Sequence, residues 1–198
     1  MAIRHARHSP DPSPSRAIRW VFLDRDGTLN VKPPLGEYIE RPDALELLPG
    51  AAKAVGMLNR AGLWTGVVTN QRGVALGRMS MEDLDAVHER LRYLLRLEGA
   101  FVDAIYMCPH EIGACDCRKP DPGLFLRAQS ENPELDFAQA AIVGDSASDV
   151  EAGRRVGMAT VLIASNKDEL AKASTADHVV RDLAQAAGSL IPQPGARE

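Results

Sequence analysis

The sequence predicts a doubly wound, three-layer α/β fold on a parallel sheet. Three observations predict it. Five short runs rich in Val, Ile, Phe and Leu lack clean alternation, as expected of strands covered on both faces. Helical patterns separate these runs, and strands alternating with helices imply right-handed crossovers. The polar residues suited to chemistry collect just past the apolar runs, at Asp24, Thr69–Asn70, the cysteine segment and Asp145. In such sheets ligands bind at the carboxyl ends of the strands.

Each element has its own signal. IRWVFLD (18–24) reads as the first strand, and a helical pattern then runs from Gly50 to about Ala61, ending at Gly62. WTGVVTN (64–70) is the second strand. Ser80, with Asp83 three residues on, is a variant of the capping box and opens a helix to about Glu98. FVDAIYM (101–107) is the third strand, and a helix begins near Pro122. AAIVGD (140–145) is the fourth, followed by a helix ending near Gly157. ATVLIAS (159–165) is the fifth, and a last helix spans about 183–190. One domain over 17–191 is expected, with flexible tails at 1–16 and 192–198.

The 198 residues suit a single domain with a sizeable core. Hydrophobic content of 45% and charged content of 25% are those of a soluble globular protein. A net charge of −4, with no basic stripe, gives no footprint for nucleic acid. No apolar run approaches a membrane span. The start, MAIRHARHSPDPSPSR, lacks an apolar h-region, and its prolines would break an amphipathic transit helix. The odd, clustered set of three cysteines argues against a disulfide framework and for the cytoplasm.

VFLDRDGTLN places Asp24 and Asp26 two residues apart beyond a strand, able to face one centre. Gly27 allows a sharp turn. Alone, the stretch reads equally well as a plain Asp–Gly turn. In CPHEIGACDCRKP, Cys108, His110, Cys115 and Cys117 offer four soft or borderline ligands, which suits a closed structural zinc site. A buried thiol cluster would sit in more apolar sequence than Glu111, Gly113 and Asp116 provide. A redox pair would leave Cys108 and His110 unexplained. Zinc would fix the loop that delivers Arg118 and Lys119.

DRDGT after one strand, TN after the next, Arg-Lys in the following loop and GDSASD after a later strand together resemble the haloacid dehalogenase superfamily of phosphohydrolases. The match covers nearly the whole chain between the tails. The resemblance implies that Asp24 is a nucleophile forming an aspartyl-phosphate and that Asp26 is general acid, then general base. It implies a catalytic Mg²⁺ on Asp24, the backbone carbonyl of Asp26 and Asp145, with Asp149 supporting that shell or reaching the ion through water. Thr69 and Lys119 would contact the phosphoryl oxygens. A scaffold that has lost activity is the reading from another class, and the complete set of catalytic residues argues against it.

Neither the stretch after Asn30 nor the one after Thr69 has room for a folded cap, so a capless, open site is expected. The loop 31–41 would form one wall. Arg25, Lys32, Asn70, Gln71, Arg72 and Arg118 are the expected substrate contacts, Arg118 through its guanidinium fork. Lys32 and Arg72 read equally well as solvated surface cations. The zinc loop narrows the resemblance to the group holding the heptose 1,7-bisphosphate phosphatases and the histidinol-phosphate phosphatases. TNQRGVALGRMS is more similar to the former. A small phosphorylated substrate is therefore expected, a sugar bisphosphate losing its 7-phosphate, with histidinol phosphate as the alternative. A monomer with no nucleic-acid or membrane partner is expected.

Overall fold

The computed structural model describes residues 17–164 and 175–192. Both expected tails fall on residues 1–16 and 193–198, outside the described residues, except for Pro192. The sheet has six parallel strands in the order β3-β2-β1-β4-β5-β6. These are β1 (Trp20–Leu23), β2 (Trp64–Asn70), β3 (Ala104–Cys108), β4 (Ala140–Gly144), β5 (Ala159–Ile163) and β6 (His178–Val180). The helices are α1 (Ala51–Arg60), α2 (Met81–Leu97), α3 (Gly123–Glu131), α4 (Ala147–Val156) and α5 (Leu183–Leu190). Short 3₁₀ turns occupy Pro42–Ala44 and Phe137–Gln139.

Side-chain alternation along β1 divides the core in two. Val21 and Leu23 face one way, into a cluster with Val55 and Leu58 of α1, Leu91 and Leu95 of α2, and Ala186 and Leu190 of α5. Trp20 and Phe22 face the other way, with Phe125 of α3 and Ala152 of α4. Helices therefore cover both faces, and the central strands β1 and β4 between them are apolar throughout, which is why their sequences show no alternation.

Two elements depart from the sequence reading. The third strand starts at Ala104, because the Asp103 carboxylate takes the Thr65 N–H at 2.7 Å before the ladder begins. The edge strand β6 is only three residues long and mostly exposed, too short to carry a periodic signal.

The chain runs outward from β1 through β2 to β3, then returns to lay β4 on the opposite side of β1. That reversal opens a crevice beyond the carboxyl ends of β1 and β4. Leu23 pairs with Val143 there, and the Asp24 N–H donates to the Val143 carbonyl at 2.9 Å. Asp24 and Asp145 thus leave the sheet side by side.

Phe22 anchors the second core. It is fully buried, edge-on to Trp64 at 5.5 Å and to Phe125 at 5.2 Å between ring centroids. Phe22→Ala is expected to lower unfolding free energy by about 3–5 kcal/mol in denaturant titrations, with an unchanged m-value.

Candidate active site

The chain turns tightly after β1. The carbonyl of Arg25 accepts from the N–H groups of Thr28, Leu29 and Asn30. Gly27 has φ +90°, and a Cβ there would lie 2.2 Å from Asp145 Oδ2. Only glycine lets this turn pass so close to the end of β4. Asp24 and Asp26 both line one open cavity of about 570 Å³, shared with Thr69, Lys119 and Asp145. Residues 32–39 form one wall, as the sequence suggests.

Lys119 is buried at the cavity's base. Its ammonium donates to Asp24 Oδ1 at 2.9 Å, Asp149 Oδ1 at 2.5 Å and the Val68 carbonyl at 2.6 Å. Those three bonds use all three of its N–H groups. Burial would lower its pKa, but the charges of Asp149 and Asp24 prevail and raise it. Burial lifts Asp24 to about 7, against the pull of Lys119 and with help from the charges of Asp149 and Asp26.

Asp149 is the third residue of α4 and closes a capping box with Ser146. One of its oxygens accepts from the Ser146 N–H and hydroxyl, the other from Lys119. One carboxylate oxygen from each of Asp24, Asp145 and Asp149 lies within 4.8 Å of the others. Asp145 Oδ2 takes the Lys32 ammonium at 2.6 Å, while the buried Oδ1 has no hydrogen-bond partner among the described residues. Three converging carboxylates with a free buried oxygen form a donor set that fits a hard divalent cation.

Asp26 is held on every side. Arg25 Nε donates to Oδ1 at 3.1 Å and Nη2 to Oδ2 at 3.0 Å. Asn30 Nδ2 reaches Oδ1 at 2.9 Å, and Gln71 Nε2 reaches Oδ2 at 2.9 Å. Gln71 also donates to Thr69 Oγ1 at 2.8 Å.

The expected substrate contacts therefore divide. Arg25 and Gln71 are buried, and their polar atoms are engaged with Asp26 and each other. Asn70 turns to the backbone of Lys119, donating to its carbonyl and accepting from its N–H, both at 3.0 Å. Lys32, Arg72 and Arg118 line the cavity along with these three. Arg72 pairs with Glu111 at 2.6 Å, and Arg118 Nη1 has no hydrogen-bond partner among the described residues.

Three residues of this network lay outside the sequence reading. Asn30 and Ser146 sit within quoted motifs and carry recognisable spacings, D-x₃-N and S-x-x-D. His88 gave no signal, because it lies on the buried stripe of α2 with Leu84, Leu91 and Leu95.

In the cysteine segment, Cys108 Sγ lies 3.5 Å from Cys115 Sγ and 3.7 Å from His110 Nδ1. Cys117 Sγ lies 3.1 Å from Cys115 Sγ and 3.3 Å from His110 Nδ1. A tetrahedron with ~2.3 Å metal–sulfur bonds has edges near ~3.8 Å, so the four donors fit a closed zinc site. The segment is fixed at both ends. Cys108 pairs with Asn70 across the sheet, and Asn70 also holds Lys119. A Cβ on Gly123 would lie 2.6 Å from the Asp116 carbonyl, so the loop rests directly on the start of α3.

The family model described as HAD-hydrolase-like matches residues 116–186. A D-glycero-beta-D-manno-heptose-1,7-bisphosphate 7-phosphatase from Rhodopseudomonas palustris is 38% identical over 146 residues, covering 70% of this chain and 79% of the relative. A D-glycero-alpha-D-manno-heptose-1,7-bisphosphate 7-phosphatase from Mycobacterium tuberculosis is 39% identical over 146 residues, covering 73% and 76%. The chain belongs to the heptose-1,7-bisphosphate 7-phosphatase family of HAD-like hydrolases. It is a phosphoric monoester hydrolase. The crystal structure of D,D-heptose 1,7-bisphosphate phosphatase from B. bronchiseptica, complexed with magnesium and phosphate, superposes with a TM-score of 0.80 at 33% identity, covering 87% of this chain and 98% of that one. Among the described residues no helix is long and apolar enough to cross a membrane.

The buried imidazole predicts a pH dependence. Burial, with Arg25 beside it, pushes His88 down to about 3 from 6.5. Between those values the unfolded chain binds a proton that the folded one does not. Stability from this group is therefore complete above pH 6.5 and falls as pH drops towards 3. At pH 5 the loss relative to pH 8 is about 2 kcal/mol. Guanidinium titrations at both pH values should show it in the wild type, and His88→Gln should lack that share.

Proposed function

We propose that the protein removes the 7-phosphate of D-glycero-D-manno-heptose 1,7-bisphosphate through an aspartyl-phosphate on Asp24. The observation that carries this reading is the convergence of Asp24, Asp145 and Asp149 at the base of an open cavity, with the Lys119 ammonium bonded to Asp24 and Asp149. Similarity to relatives named for this activity supports the substrate.

Asp24 attacks phosphorus, and the bond from phosphorus to the sugar oxygen breaks. Asp26 gives its proton to that departing oxygen. It then takes a proton from the water that attacks the phosphoryl group, and the bond to Asp24 breaks to release phosphate. Lys119 and the Thr69 hydroxyl stabilise charge on the phosphoryl oxygens. Gln71 aims both Thr69 and Asp26. Asp24, Asp145, Asp149 and the Asp26 carbonyl would hold Mg²⁺, which when bound offsets the repulsion between carboxylate and phosphate. Lys32, Arg72 and Arg118, along the cavity, are the contacts for the sugar and its second phosphate.

Phosphate release from heptose 1,7-bisphosphate and from histidinol phosphate, measured side by side with magnesium, tests the reading. The expected kcat/KM favours the heptose by at least about tenfold, and a preference for histidinol phosphate would overturn the substrate. Asp24→Asn is expected to lower kcat at least about 10³-fold. Metal analysis of the purified protein is expected to give about one zinc per chain, retained through chelation that strips magnesium and lost in Cys117→Ser.

A further inference from the structure

His88 is a buried polar residue on the apolar face of α2, distant in sequence from every motif of the site. Its Nε2 lies 3.3 Å from Arg25 Nη1. A guanidinium has only donors, so Nε2 is the accepting nitrogen and the ring is the neutral Nδ1–H tautomer. Arg25 itself is fully buried. Its Nε and Nη2 clamp both oxygens of Asp26, Nη2 also donates to Gln71, and Nη1 goes to His88. His88 is thus the anchor on the far side of the guanidinium from the carboxylate.

We infer that His88 is a positioning residue for the reaction: through Arg25 it fixes the plane in which Asp26 meets the leaving oxygen. The inference rests on the proposed role of Asp26 as general acid. Four donors surround Asp26, one for each carboxylate lone pair. A carboxyl that carries the acid proton accepts one bond fewer, so one donor must turn aside when the proton loads. The amides of Asn30 and Gln71 each make a second bond, to the Val31 carbonyl and Thr69 Oγ1, which keeps them anchored when the bond to Asp26 is released. Arg25 is held in place by His88, so the guanidinium keeps its grip while an amide yields. The proton then passes from Asp26 to the sugar oxygen as its bond to phosphorus breaks. Without His88 the buried Nη1 has no acceptor among the described residues, and the guanidinium tilts to find one.

The test compares two leaving groups. A sugar alcohol leaves only with a proton, whereas p-nitrophenolate leaves without one. kcat/KM reports the steps up to leaving-group departure, so it isolates the acid's role from the later attack of water. In His88→Leu, kcat/KM for heptose 1,7-bisphosphate is expected to fall about 10- to 100-fold, mainly in kcat. For p-nitrophenyl phosphate it should stay within about threefold of wild type. His88→Gln, which restores an acceptor, should recover most of the sugar-phosphate activity. If His88→Leu does not fold, Arg25→Lys carries the same comparison, since an ammonium cannot clamp both oxygens of Asp26. Equal losses on both substrates, or no loss on the sugar phosphate, overturn the inference. A wild type active on p-nitrophenyl phosphate but not on the heptose overturns only the proposed substrate, and glycerol phosphate then serves as the alkyl substrate that decides the inference. A wild type silent on all three overturns the functional reading and the inference with it.

Discussion

The buried ammonium of Lys119 is the constraint on which the rest of the structure depends. A lysine with 3% exposure is costly unless its charge is matched and its donors are filled. Here Asp24, Asp149 and the Val68 carbonyl do both. Those three groups come from the ends of β1 and β2 and from the first turn of α4, so one cation ties three segments of the sheet edge together. It also explains the cysteine segment. A loop cannot deliver a lysine to a fixed point in the interior unless the loop is itself fixed. The Cys/His cluster closes the loop, Asn70 clasps the Lys119 backbone, and Gly123 lets the loop lie on α3.

The sheet was legible in the sequence because its strands are buried on both faces and need continuous apolar runs. The chemistry was legible because the fold places polar residues at strand ends, where each motif is punctuated by a glycine, a cap or a proline. Asp24 and Asp145 follow strands directly, whereas Lys119 was singled out only by the place of its Arg-Lys pair in the resemblance to the haloacid dehalogenase superfamily. What the sequence could not show is which way each side chain turns. Arg25, Asn70 and Gln71, expected as substrate contacts, line the cavity and also use polar groups to hold other parts of the site. A polar residue beside a catalytic one can face outward to ligand or inward to support it, and residue type alone does not choose. His88 was illegible for the opposite reason: on a helical stripe of leucines, a histidine carries no spacing that separates a partner of Arg25 from a core residue.

The site therefore has a rigid floor and an adjustable rim. The floor consists of Asp24, Asp26, Thr69, Lys119 and Asp149, each held by at least one side-chain hydrogen bond. The rim consists of Lys32, Arg72 and Arg118 with the loop 31–41, where exposure is higher and ion pairs run across solvent. This division matches what phosphate-ester hydrolysis requires. The transferring group is the same in every substrate and rewards a fixed cradle. The rest of the substrate varies, and contacts at the rim can change without disturbing the cradle.

Asp149 shows how closely stability and chemistry are joined in that floor. As the third residue of α4 it caps the helix through Ser146, and as a buried anion it balances Lys119. Ser80 and Asp83 make the same capping box at α2, but exposed and with no role beyond the helix. Replacing Asp83 removes a cap. Replacing Asp149 removes a cap and leaves half of a buried ion pair uncompensated. Inactivity in an Asp149 variant would therefore reflect an altered fold as much as an altered reaction, whereas the Asp24 side chain caps no helix and its isosteric amide keeps the shape of the site.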